Sequence, residues 1–165
     1  EERPASGAML HLFGGGSQAA MLRELASHLG IIGQVVWHGW LAPEVLADRL
    51  AACDLSVTVP ASDATSVSLL ESMACGLPVI ASDLPANRQW VDAAGGYLVG
   101  AGDAGALAMA MCSEFDDASL RRRQGEFNRM RIEELGSTRG QMDRMAELYH
   151  AILSTPLRTV ALTNT

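Results

Sequence analysis

A chain of 165 residues, 48% hydrophobic and 19% charged, has the length and balance of one globular domain with a real core, and its composition excludes a disordered segment. Its formal net charge of −7 argues against nucleic acid as a partner, and all twelve cations are arginine, with no lysine anywhere. No apolar run approaches the roughly 18 residues of a membrane span, and the N-terminus lacks a signal-peptide pattern.

In chain order, short apolar runs alternate with helical patterns, which predicts parallel strands joined by crossover helices. Glu1–Gly7 reads as a flexible end. The run Met9–Phe13 is a strand ending in Gly14-Gly15-Gly16, after which Ser17 can cap a helix carrying Met21, Leu22, Leu25 and Leu29 and stopped by Gly30. Val35–Trp37 is a second strand, ending at Gly39. Pro43 suits a first helical position, with Val45, Leu46 and Leu50 as the buried stripe. Leu55–Val59 has the β-branched content of a strand at a buried centre and stops at Pro60. Ser66 opens a helix with Leu69, Leu70, Met73 and Ala74, closed by Gly76. Pro78–Ala81 is the next strand, a short helix follows near Pro85–Val91, and Tyr97–Val99 is the last strand. Beyond Asp103 only helices are predicted, over 103–115, 118–134 and 138–153, and Thr155–Thr165 reads as a second flexible end. The arginine run at 121–123 reads as a solvated helix face. The fold expected is α/β, an open doubly wound Rossmann-like sheet of five parallel strands with a helical C-terminal tail.

Cys53, Cys75 and Cys112 are odd in number and widely spaced, with no CxxC pair. They predict neither a zinc site nor a disulfide framework, and suit reduced thiols in the cytoplasm. In an open α/β sheet the ligand lies beyond the carboxyl ends of the strands. Here that edge carries Gly14–Gly16, Gly39–Trp40, Pro60–Ser66 and Ser82–Arg88. The glycine run lets a ligand approach the backbone, although a plain tight turn explains it equally, and it matches neither GxGxxG nor a P-loop. The acids Asp63 and Glu71 flank a helix start whose amides, Thr65 to Leu69, form a local positive end. Eight residues of helical rise span roughly 12 Å, which suits two sugar rings joined through a diphosphate. The competing reading makes Asp63 a turn residue and Glu71 a surface residue. Against it, Glu71 neighbours Leu70, Met73 and Ala74, where a buried carboxylate without partners costs several kcal/mol. In "SDLPANRQW", Asn87 and Arg88 reach toward the same edge, and Asp83 reads as a helix cap. The four histidines form no evident set, and of them only His38 falls near the edge.

The stretch "CDLSVTVPASDATSVSLLESMACGLPVIASDLPANRQWV" resembles the C-terminal domain of family four of the retaining GT-B glycosyltransferases. The family's hallmark is Glu-x7-Glu, with Asp at the first position in some members, and Asp63 and Glu71 fall on the two acids. "LHLFGGG", "VVWHGWL" and "GGYLVGAGDAGALAMAM" extend the likeness over roughly residues 8–153. The resemblance implies a nucleotide-diphosphate sugar donor, UDP-, GDP- or ADP-linked, with no cofactor and no metal. It implies that Glu71 binds the ribose and Asp63 the transferred sugar, and that backbone amides around Thr65, Ser66 and Val67 hold phosphate or sugar oxygens. Gly39, Trp40 and Leu41 would lie against the base, and Gly14, Gly15 and Gly16 would line the cleft. Arg88 is a further donor contact. Transfer would be retaining, of the hexosyltransferase type.

The sequence departs from the family in two ways. Ala64 stands where the family has glycine after the first acid, which crowds the backbone near the sugar. The family's C-terminal domain also begins with one more strand and helix, whose turn carries an Arg and Lys clamp on the diphosphate. The resemblance therefore implies that residues 1–165 are a partial donor-binding domain. On this reading the chain alone is inactive, its partner is a missing N-terminal acceptor-binding domain, and any contact with the inner membrane face belongs to that half. Without the first unit, the strand order reads 2-1-3-4-5 if the sheet closes; otherwise an apolar slot opens beside Leu10–Phe13 and Val57–Val59. Two other functions fit the residues: a nucleotide-binding module that never catalyses, and part of a GT-B nucleotide-sugar epimerase.

Overall fold

The computed structural model describes residues 7–154, so the ends expected to be flexible, Gly7 aside, lie outside the described residues. Strands and helices alternate as expected: β1 (Leu10–Phe13), α1 (Ala19–His28), β2 (Val35–Gly39), α2 (Pro43–Ala51), β3 (Ser56–Thr58), α3 (Val67–Ala74), β4 (Val79–Ser82) and β5 (Gly96–Val99). The tail is α4 (Ala104–Asp116), α5 (Ala118–Leu135) and α6 (Thr138–Ser154). The short helix expected near Pro85–Val91 is a single 3-10 turn, Asn87–Gln89. Gln18, not Ser17, stands at the start of α1, and no side chain caps it.

Every strand pair is parallel, and the α/β class with its helical tail stands. The continuous order 2-1-3-4-5 does not. β1 pairs with β2 in one sheet, and β3, β4 and β5 form another. A parallel neighbour must lie about 4.8 Å away to complete a ladder, and among the described residues no strand does so on the second edge of β1 or of β3. The open slot is what forms. Val57 and Val59 are each 38% exposed, which corrects the expectation of a buried centre for Leu55–Val59. Met21, Leu22 and Leu25 of α1 and Leu29 just after it are likewise exposed, as is Val45 of α2, where Leu50 is the one buried residue. The periodicity of these helices is real, but the described residues supply no surface to cover it.

The core sits on both faces of β4. Residues i and i+2 of a strand share a face. Val79 and Ala81 accordingly pack with Leu69 and Met73 of α3 and with Val91, while Ile80 packs with Val99 and Ala110 of α4. Helix α5 closes over the first face through an approach that only glycine permits: a Cβ on Gly125 would lie 2.0 Å from the Gly76 carbonyl oxygen. Three residues on, Asn128 is fully buried and donates through Nδ2 to the carbonyls of Leu77, at 2.8 Å, and Gly95, at 2.7 Å. The segments leading into β4 and β5 are thus bolted to one helix.

Two predictions follow from this packing. Gly125→Ala gains helix propensity yet collides with backbone that cannot rotate aside. It should lower unfolding free energy by about 1–3 kcal/mol, the range for overpacking, as measured by urea denaturation. Glu114 of α4 is fully buried and receives the Gln124 amide at 2.6 and 3.2 Å once that amide is turned to face it. Burial pushes its carboxyl above the ordinary 4.5. A carboxyl whose pKa is raised by folding stabilises most below its unfolded pKa, and this contribution is lost as pH rises through the folded value. Glu114→Gln should therefore flatten the pH dependence of Tm above pH 4.5 and raise Tm at neutral pH; a neutral-pH Tm below wild type would contradict this.

Candidate functional site

The residues singled out at the carboxyl edge fall into two groups. In the first, the Gly14 amide donates to the Gly39 carbonyl at 2.8 Å, so the loops after β1 and β2 meet. Both glycines have positive φ, 97° and 68°, which suits the tight turn each strand makes on leaving the sheet. Trp40 is 84% exposed, and its indole Nε1 lies 3.3 Å from where a Cβ on Gly15 would stand. The structure therefore brings Gly14–Gly16 together with Gly39–Leu41.

The second group gathers at the ends of β3 and β4. Asp63 is exposed, and its Oδ1 accepts from the Ala64 amide at 2.8 Å. Helix α3 begins only at Val67, so Val67 to Glu71 supplies about 6 Å of helical rise, half the span expected for eight residues. Ser66 is buried at the N-cap but caps nothing; its hydroxyl lies 3.1 Å from the hydroxyl of Ser68. The α3 first turn contains no acid. In contrast, Asp103 and Asp117 cap α4 and α5 by accepting from first-turn amides. The leading amides of α3 are thus left without a side-chain acceptor. Glu71 is exposed, and its carboxylate has neither hydrogen bond nor ion pair among the described residues, which corrects the premise that it sits buried and in need of partners. Its neighbours Leu69 and Met73 are fully buried on the opposite side of the helix.

Arg88 is already engaged. Its Nε and Nη2 donate to the two carboxylate oxygens of Asp83 at 2.6 and 2.9 Å, so Asp83 is an ion-pair partner and not a helix cap. The Arg88 hydrogen bond holds the Asp83 carboxyl below its ordinary range, and Asp83 raises Arg88 in turn. Asn87 is buried, and it donates to the Ser82 carbonyl at 2.9 Å. Ser82, fully buried, donates its hydroxyl proton to the Pro60 carbonyl at 2.6 Å. This chain ties the loop carrying Asp63 to the end of β4. The sequence carries little sign of Ser82's part, since a serine closing a strand has many uses. It gave no sign that His38 and His11 pair at 2.9 Å. Among the described residues no hydrogen bond or ion pair joins the two groups. A cavity of about 160 Å³ opens nearby, lined by Val59, Val99, Gly100, Gly102, Asp103, Ala104 and Leu107, none of them a predicted contact.

The described residues contain no group of three or more His, Cys, Asp or Glu arranged to hold a metal, and no helix long and apolar enough to cross a membrane. Cys53, Cys75 and Cys112 are free thiols.

Comparison with known proteins completes the picture. A lipopolysaccharide core biosynthesis glycosyltransferase, LpsE of Rhizobium meliloti, is 35% identical over 122 residues, covering 73% of this chain and 35% of that protein. Sucrose-phosphate synthase from Thermosynechococcus elongatus superposes with a TM-score of 0.77 at 26% identity, over 88% of this chain and 39% of that one. HepE of Anabaena in complex with UDP superposes at 0.80 with 20% identity, over 90% and 42% of the two chains, and in complex with UDP-glucose at 0.78 with 20% identity, over 87% and 41%. The chain therefore spans well under half the length of these relatives, and its fold is the Rossmann-like one of GT-B enzymes. The family model described as glycosyl transferases group 1 matches residues 2–131, and the chain belongs to that family.

Proposed function

We propose that this chain is the donor-binding domain of a retaining glycosyltransferase that takes a nucleotide-diphosphate sugar and passes the sugar to an acceptor held by a second domain. The observation that carries the reading is the start of α3: first-turn amides with no side-chain cap and no neighbouring acid, between two exposed carboxylates, Asp63 and Glu71. Such a helix end attracts anionic oxygens, and carboxylates accept hydrogen bonds from sugar hydroxyls. Glu71 takes the ribose, Asp63 the transferred sugar, and the amides around Thr65, Ser66 and Val67 the diphosphate. Trp40, with Gly39 and Leu41, faces the base, and Gly14–Gly16 line the cleft.

The relatives support the same assignment: HepE has been solved with UDP and with UDP-glucose, and this chain superposes on it over most of its own length. That likeness supports a nucleotide-sugar donor, and of the UDP-, GDP- and ADP-linked candidates it favours the UDP-linked one. The second domain is proposed because the chain covers 35–42% of the relatives described.

Arg88 enters this picture in a changed role. With its fork closed on Asp83, it supplies no free cation, and diphosphate charge falls mainly to backbone amides. A helix end contributes up to about 2 kcal/mol at a partly buried site, so the isolated domain holds its donor weakly and needs the rest of the protein for transfer.

Two substitutions in the full-length protein test the assignment. Glu71→Ala should leave Tm unchanged, because exposed side chains without partners rarely move stability beyond about 0.5 kcal/mol. It should weaken donor binding by about 1.5–3 kcal/mol for each charged hydrogen bond lost; equal affinities in calorimetry would overturn the ribose role. Asp63→Asn should lower turnover while leaving affinity for the bare nucleoside diphosphate near wild type. An equal loss for donor and bare nucleotide would show that Asp63 does not act at the sugar.

A further inference from the structure

Beneath the first loop pair lies a side-chain cluster that donor binding does not use. His11 on β1 and His38 on β2 are hydrogen-bonded, with Nδ1 of His11 2.9 Å from Nε2 of His38. The His38 ring also stacks on Phe13, centroids 4.8 Å apart and planes 18° from parallel. The backbone makes room for this arrangement. Leu12 is paired with Trp37, but Phe13 is paired with Gly39, so His38 is the extra residue of a β-bulge. A bulge re-aims a side chain and weakens the ladder around it. The backbone bond that follows is Gly14 to Gly39, and beyond it Trp40 rests on Gly15. Among the described residues the histidine pair is the one side-chain hydrogen bond between β1 and β2.

An imidazole–imidazole hydrogen bond needs a proton on one nitrogen and a lone pair on the other. The pair therefore accepts one added proton and not two. With both rings cationic, two like charges would meet at hydrogen-bond distance. The charged neighbours do nothing to relieve them. Arg49 of α2 is the other charge acting on His38, and Arg23 of α1 lies over the Trp37 ring at 4.4 Å.

We propose that the His11–His38 pair is a proton-sensitive clasp, which near neutrality holds the bulge closed and sets the Gly14–Gly16 and Gly39–Leu41 loops together, and which opens when both rings are protonated, releasing Trp40 from Gly15. The clasp does not depend on what binds at this edge. Desolvation, then the charges of His11 and Arg49, hold His38 below the ordinary 6.5. The sign follows. A base with a depressed folded pKa stabilises the closed form fully above the unfolded value, and that contribution is lost as pH falls from about 6.5 toward the lower folded value.

The test is an NMR titration of the 165-residue chain from pH 8 to pH 5, following the histidine ring resonances and the indole N–H signals of Trp40 and Trp90. The expected result is a Trp40 transition sharing the midpoint of His38, below 6.5, while Trp90, packed against the main core, does not move. In His38→Phe, which keeps the stack on Phe13 and removes the titrating group, the Trp40 transition should vanish. His11→Asn is the second variant, and it should abolish the transition in the same way. Persistence of the Trp40 transition in either folded variant would overturn the clasp. So would a wild-type Trp40 signal that stays flat, or one that moves together with Trp90 as the whole domain unfolds.

Discussion

Strand β4 is the constraint on which the rest depends. It is hydrogen-bonded on both edges, to β3 and β5, and its four residues Val79, Ile80, Ala81 and Ser82 are all fully buried. Burying an aliphatic side chain of this size contributes about 1.5–3 kcal/mol, and here the gain comes from both faces at once. Order passes from the strand outward. Ser82 fixes the Pro60 carbonyl, Asn87 fixes the Ser82 carbonyl, and the Asp83 amide continues the ladder by donating to Val99 at 2.7 Å. The loop holding Asp63 is irregular, yet it starts from a carbonyl held by the most deeply buried strand among the described residues. That is how an exposed acid acquires a defined place.

The β1–β2 half is built on a different balance. Met9 and Leu10 are about half exposed, α1 buries only Ala26, and Trp37 is covered on one side by the Arg23 guanidinium. Little apolar area is removed from water there, so polar and aromatic contacts carry more of the load: the Gly14–Gly39 bridge, the histidine pair and the stack on Phe13. Such contacts contribute about 1 kcal/mol each, and one of them, the histidine pair, responds to pH as burial does not. Where a well-buried sheet would be indifferent to protonation, this one has reason to respond.

Much of the fold was legible because local patterns and tertiary packing agree. Pro43 does begin α2, Gly30 and Gly76 do follow helices, and the three tail helices lie within a residue or so of the expected bounds. The reading failed where burial had to be inferred from hydrophobicity alone. Val57 and Val59 have the composition of a central strand, but burial is a property of neighbours, and none of the described residues pairs with their open edge. Glu71 failed in the opposite sense: its apolar sequence neighbours lie on other faces of α3, so it meets solvent despite them. The two loop pairs were legible because an open parallel sheet gathers its strand-to-helix loops at the carboxyl edge. The histidine pair was missed because residues 27 apart meet only through a register that the bulge at His38 sets.

The charge distribution bears on the diphosphate role proposed for the start of α3. The chain carries −7, which repels an anionic ligand at long range, and screening removes that field beyond about 8 Å at physiological salt. On the proposed donor-binding role, capture of a diphosphate is then short-range. Arg122 and Arg129 face Glu126 and Glu133, Arg131 holds Asp92, and Arg88 holds Asp83, so these cations are spent on neighbouring acids. Backbone amides cannot be neutralised in this way except by a capping side chain. At α4 and α5 aspartates take that place; at α3 the residue in the cap position is Ser66, and its hydroxyl turns to Ser68 instead. The donor capacity left at α3 is therefore fixed in the backbone, independent of pH, and held in position by Leu69 and Met73 packed against β4.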